Sequence, residues 1–148
     1  MPPNMLLNDP PKVDGIKNVE YLKGDRGSHL MITVPHGGYI GRGKSDGGTG
    51  MPARTDKRTK KGVKAQTMAD SYTIELAKQL QKDLQKRLGK KPHLVVLNVA
   101  RKRLDANREV GEACFGNSVC KKVYKDYHNK IRVAIQQLFT QRWNRIWA

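Results

Sequence analysis

Apolar residues recur at every fourth position through Met68, Tyr72, Leu76, Leu80, Leu84 and Leu88, with Ala69 and Ala77 beside them. That spacing predicts one face of an α-helix. Gly89 and Pro92 end it, as helix-stop residues do. Lys78, Lys82 and Lys86 fall on the opposite side and predict a solvated charged face. Leu94 to Val99 is a dense apolar run between Pro92 and Arg101, the pattern of a central strand covered by helices on both faces. Val119, Val123, Tyr127, Ile131, Ile135 and Leu138 predict a last helix over 118–140 with those side chains inward. Two shorter runs, Asn18 to Leu22 and His29 to Val34, flank a Lys-Gly-Asp-Arg-Gly-Ser segment and predict a strand, a turn and a second strand. Leu30, Ile32 and Val34 share one face of that second strand by its period of two, with Met31 on the other. Strand, loop, helix and strand in this order predict a right-handed crossover and a parallel pair.

The segments between these elements divide the chain. Residues 1–15 hold four prolines and predict a flexible lead-in that keeps no hydrogen-bonded ladder. From His36 to Lys64 the sequence is rich in Gly, Lys, Arg, Thr and Ser. It offers nothing to pack a core, and a loop of this length is usually functional or mobile. With 148 residues the chain is large enough for one domain with a real core. We place that α/β domain, a three-layer sheet flanked by helices, over 16–140, with a basic and aromatic tail over 141–148.

The formal charge of +16 predicts salt-dependent attraction to polyanions such as nucleic acid, acidic polysaccharide or a mineral matrix. No aromatic residues are interleaved with the lysines and arginines as a base-stacking platform requires. No apolar stretch approaches the roughly 20 residues that cross a bilayer. Met1 to Pro11 lacks the charged start and apolar run of a secretory signal, so an intracellular location is the default expectation, with secretion if the natural beginning is missing. Cys114 and Cys120 are the two cysteines. With no second pair to suggest a disulfide framework, they are expected to be ordinary buried thiols.

Three features carry chemistry. Val34-Pro35-His36-Gly37-Gly38 puts an imidazole at the carboxyl end of a buried strand, where α/β sheets place ligands, and two glycines let the backbone turn beside it. Most histidines beside turns bind no metal, so His36 alone defines no site. Asp70 stands at the start of the long helix, where it could be an N-cap or, beside a histidine, a zinc ligand. After the central strand, Arg101 and Arg108 could each grip a carboxylate through two parallel bonds. Asp105 could hold one guanidinium in place, or these charges could form a surface ion-pair network.

In order, the strings VEY…GD at Val19–Asp25, PHGG at 35–38, PAR at 52–54, DSYTIELA at 70–77, PHLVVLN at 92–98, RKRLDANREVGEACFGN at 101–117 and YKDYHNKI at 124–131 resemble the N-formylglutamate amidohydrolase family. The resemblance covers roughly Val19 to Phe139. It implies a fold akin to zinc-dependent exopeptidases and an amidohydrolase acting on a small carboxylate-bearing amide. By the same resemblance His36 and Asp70 are metal ligands, zinc is the cofactor, and Arg101, Asp105, Asn107 and Arg108 form the substrate side. No catalytic group is assigned.

Two departures stand against the family pattern. Ala53 replaces the family's acidic residue. Members also continue past the last helix into an Asp-x-His ligand segment and a catalytic glutamate, whereas this chain ends in Gln141-Arg142-Trp143-Asn144-Arg145-Ile146-Trp147-Ala148. The other histidines do not substitute: His29 and His93 begin their strands, far from the presumed site, and His128 lies on a helix. Two readings follow. One is a zinc hydrolase that needs a second chain or a further segment to complete its site. The other is a non-catalytic pseudoenzyme, a basic protein that binds acidic polymers. A truncated sheet also predicts an open strand edge, at Leu94–Val99 or Leu30–Val34, and with it a homo-oligomer or a marginal fold.

Overall fold

The computed structural model describes residues 16–146, with side chains through residue 139; the lead-in expected over 1–15 lies outside the described residues. The chain forms β1 (Val19–Leu22), β2 (Met31–Val34), α1 (Thr73–Leu88), β3 (His93–Leu97), α2 (Val110–Cys114) and α3 (Ser118–Ile146). The sheet order is β1-β3-β2. β3 pairs antiparallel with β1 and parallel with β2, as the strand–helix–strand order predicts.

Burial follows the period of two along β3. Leu94 and Val96 pack with Val34, Ile74 and Ala77 under α1, while Val95 and Leu97 face the cluster that includes Val123, Tyr127 and Ala134 of α3. The sheet is therefore sandwiched between helices. All four of those β3 side chains are fully buried, each stabilising the fold by about 1.5–3 kcal/mol relative to exposure.

Four expectations from the sequence need correcting. The leucine stripe is not the buried face of α1: Ile74, Ala77 and Gln81 are buried, whereas Leu76 is 66% and Leu80 43% exposed. A step of four overshoots the 3.6-residue turn by about 40°, so residues spaced by four wind around the helix rather than along one side. Met68 and Tyr72 precede the helix altogether. In α3 the buried set is Cys120, Val123, Tyr127 and Ala134, at steps of three, four and seven, and Val119 and Ile135 are exposed. That helix runs on to Ile146. Cys114 and Cys120 form a disulfide across the α2–α3 turn, where the αL residue Phe115 and Gly116 bring the two sulfurs together.

The fourth correction concerns the long loop. It does contribute to the core, because Met51 is fully buried and Ala65 and Arg54 nearly so. After β2 the chain bulges through Pro35 to Tyr39 and rejoins β3 at Ile40, bridged in parallel to Val99 by Ile40 N–H to Asn98 O and Ala100 N–H to Ile40 O, both 2.9 Å. The bulge depends on Gly38, where a Cβ would overlap the Asn98–Val99 backbone.

Among the described residues, no strand pairs with the outer edge of β2, and the exposed Leu76 and Leu80 stand beside it. An exposed edge with apolar cover tends to self-associate. The full chain is expected to sediment as an oligomer, with Leu76→Glu combined with Leu80→Glu shifting it towards monomer. A wild-type chain that stays monomeric across a hundredfold concentration range would contradict this.

Candidate metal and substrate site

The bulge after β2 delivers His36 to the carboxyl ends of β2 and β3. Its ring is buried, and each nitrogen faces a carboxylate: Nε2 lies 2.7 Å from Asp105 Oδ1 and Nδ1 lies 3.3 Å from Asp70 Oδ2. Asp70 reaches this position through its own backbone, whose N–H donates to the His36 carbonyl at 3.1 Å. Thr73 Oγ1 donates to the Asp70 carbonyl at 3.0 Å. The N-cap residue of α1 is Tyr72, in the left-handed region. Asp70 therefore precedes the cap position, and its side chain turns to the imidazole.

Asp105 is the centre of the cluster and is completely buried. It accepts from His36 on Oδ1 and from Arg101 Nε on Oδ2 at 2.9 Å. The Asn107 N–H donates to Oδ1 at 3.1 Å, and Arg108 Nε stands 3.9 Å from Oδ2. Burial pushes the Asp105 carboxyl up, but the hydrogen bonds and positive charges of His36 and Arg101 outweigh it and hold the group well below the usual carboxylate range. A carboxylate only accepts, so His36 Nε2 carries a proton toward Asp105, and Nδ1 meets Asp70 Oδ2 either through an N–H or, as a bare nitrogen, through a shared cation. Asp105 and Asp70 lie on opposite sides of the ring and cannot bind one ion together through it.

The structure brings all six residues singled out in the sequence together, five of them by their side chains. Arg101 has a side chain 15% exposed and is spent on Asp105, whereas the Arg108 side chain is 49% exposed and has donors facing solvent. Asn107 is exposed and joins through its main chain alone. The other histidines lie elsewhere: His93 takes the Tyr21 hydroxyl and Gly24 N–H at the far end of the sheet, and His128 bonds the Ala106 carbonyl at 3.1 Å. Among the described residues, no group of three or more His, Cys, Asp or Glu side chains is arranged to hold a metal ion. From His36 and Asp70 a groove of about 300 Å3 runs along β2 under Thr73, Leu76, Ala77 and Leu80, polar at the site end and apolar beyond.

Two residues that organise the site were not singled out. Arg103, buried, donates through Nε to Gly41 O (2.9 Å), through Nη1 to Met51 O (3.3 Å), and through Nη2 to Gly43 O, Lys44 O and Ser45 O (3.2, 3.2 and 2.8 Å). Five carbonyls of one loop converge on one guanidinium. Arg54 does the same for the next stretch, with Nη1 to Gln66 O (2.8 Å) and Arg101 O (2.9 Å) and Nη2 to Glu112 O (3.0 Å). Burial pushes its pKa down while the Asp105 charge opposes that. Arg54 carried a signal, an arginine inside a Gly-rich loop short of apolar residues, whereas the neighbours of Arg103 carried none.

The molecule is thus a mixed three-stranded α/β sandwich with a His–Asp–Asp–Arg cluster at its strand ends. Comparison of the chain with models of known protein families, with curated proteins and with solved structures finds no match. No helix among the described residues is long and apolar enough to cross a membrane.

Proposed function

We propose that the cluster is the core of a zinc-dependent amide-hydrolysis site of the N-formylglutamate amidohydrolase type, on a zinc-exopeptidase-like scaffold. The observation that carries this reading is the 3.3 Å between His36 Nδ1 and Asp70 Oδ2. Charge-assisted bonds are shorter, about 2.7–2.9 Å, whereas two ligands each roughly 2.0–2.1 Å from a tetrahedral zinc stand about 3.3 Å apart. An imidazole nitrogen and a carboxylate oxygen also suit that ion.

His36 and Asp70 would hold the metal, which when bound supplies polarisation of an amide carbonyl and an activated water near neutrality. The chain's own residues do the rest. With the metal bound, Asp105 would hold the Nε2–H and leave Nδ1 as the ligand atom. Arg101 holds Asp105 in place. Arg108 is set to grip a substrate carboxylate through two parallel bonds, with Asn107 beside it. Catalytic zinc sites use three protein ligands and this cluster offers two, so weak zinc affinity is expected, with the third ligand and the general base coming from a second chain or a further segment.

The test is zinc uptake, and hydrolysis of N-formyl-L-glutamate with added zinc, by the full chain and by His36→Ala. Zinc uptake that falls at least tenfold in the variant is expected, with any turnover falling alongside it, and zinc uptake and rates indistinguishable between the two would sink the reading. A second reading, a non-catalytic basic binding protein for acidic polymers, is favoured by the net charge of +16.

A further inference from the structure

The densest positive charge in the chain is carried by an ordered finger. Lys57, Arg58, Lys60, Lys61 and Lys64 are all exposed within eight residues, and the backbone between them is a hairpin. Arg58 bridges Lys64 antiparallel, Thr59 N–H donates to Val63 O at 2.8 Å, Gly62 N–H to Thr59 O at 2.9 Å and Ala65 N–H to Lys57 O at 2.9 Å. Gly62 supplies the positive φ of the turn. The Arg58 guanidinium closes the tip on Gly62 O at 2.9 Å. Arg54, buried at the root, ties Gln66 O to the Arg101 carbonyl. Binding through such a preformed element loses little chain entropy, unlike a charged tail. Lys60 is paired with Glu109 at 3.6 Å; among the described residues, Lys57, Lys61 and Lys64 have no carboxylate within ion-pair distance.

We infer that this finger is a docking arm for an anionic polysaccharide. Its positive charge fits any polyanion, and two observations choose among them. The finger contains Thr59, Gly62 and Val63 between its cations and no aromatic ring, so it cannot stack on bases as single-strand binders do. Disulfides such as Cys114–Cys120 persist in oxidising compartments, and acidic glycans are the polyanions met there. The finger's root is tied through Arg54 to the Arg101 carbonyl, and the Arg101 side chain bonds Asp105 of the His36 cluster. This inference rests on the acidic-polymer reading and does not need the hydrolytic one.

The experiment compares heparin binding by the full chain with two triple variants of equal charge change, Lys57→Gln/Lys61→Gln/Lys64→Gln on the finger and Lys78→Gln/Lys82→Gln/Lys86→Gln on α1. Melting curves confirm that both fold, as expected for exposed lysines. The finger variant should bind heparin at least tenfold more weakly in about 0.15 M salt, with a shallower salt dependence, and the α1 variant less than threefold more weakly. Equal losses would overturn the finger while leaving a general electrostatic reading intact, and no loss in either would overturn both. Duplex DNA bound as tightly as heparin would overturn the choice of polysaccharide.

Discussion

Asp105→Asn is expected to be the most destabilising single substitution of a polar residue in the molecule, lowering stability by about 3–5 kcal/mol, the range for breaking a buried ion pair by removing one partner. Asp105 is wholly buried and satisfies His36, Arg101 and the Asn107 amide at once. The amide retains one acceptor oxygen for these donors and adds an N–H of its own, leaving Arg101 facing a neutral group. For a chain of this size each kcal/mol moves the melting temperature by about 2–4 °C, so thermal denaturation near neutrality should show a fall on the order of 10 °C.

The pH dependence fixes the cause. The Asp105 carboxyl is held below its usual range in the folded chain, so its contribution is complete above the unfolded value of about 3.9 and is lost as pH falls from there towards the depressed folded value. The stability gap between wild type and Asp105→Asn should therefore close on acidification below about pH 4. A gap that stays constant through that window would mean that packing rather than charge sets the effect.

Arg103→Met should release the loop over 41–51 while leaving the sheet folded. Met51 and the carbonyls of Gly41, Gly43, Lys44 and Ser45 all converge on this one side chain. A hydrogen bond to a charged donor contributes about 1.5–3 kcal/mol. The five are not additive, because freed carbonyls turn to water, so a local cost on the order of 3 kcal/mol is expected. That corresponds to roughly a hundredfold loss of amide-exchange protection at Arg42 and Thr49, whose N–H groups bond within the loop, with β3 amides little changed. Arg103→Lys should behave almost as badly, since a point charge with three donors cannot span five carbonyls. Protection lost equally across β3 would show instead that Arg103 supports the whole domain.

What could be read in the sequence followed from local pattern. The apolar density of Leu94–Val99 announced a central strand, and the helix over Ser118 onwards was legible in apolar residues recurring every three or four positions, although Val119 and Ile135 of that set are exposed. His36 and Asp70 were legible as a pair through the PHGG and DSYT strings, and the structure does bring them together. What was not legible depends on partners distant in sequence. Asp105 was legible as the holder of one guanidinium, which Arg101 supplies, or as a member of a surface network; its burial was not legible, because nothing in its neighbours points to His36, 69 residues away. The loop looked unstructured because its order comes from Arg103, between 52 and 62 residues downstream of the carbonyls it holds. The leucines of α1 looked like a core face because a period of four resembles a helical period over one turn and departs from it over four.

The most direct test of the site is zinc K-edge X-ray absorption on the full chain loaded with one equivalent of zinc, beside His36→Ala and Asp70→Ala. One imidazole nitrogen and one carboxylate oxygen in the first shell at about 2.0–2.1 Å, each lost in the corresponding variant, is the predicted result. A wild-type spectrum unchanged by both substitutions would mean that His36 and Asp70 share no cation.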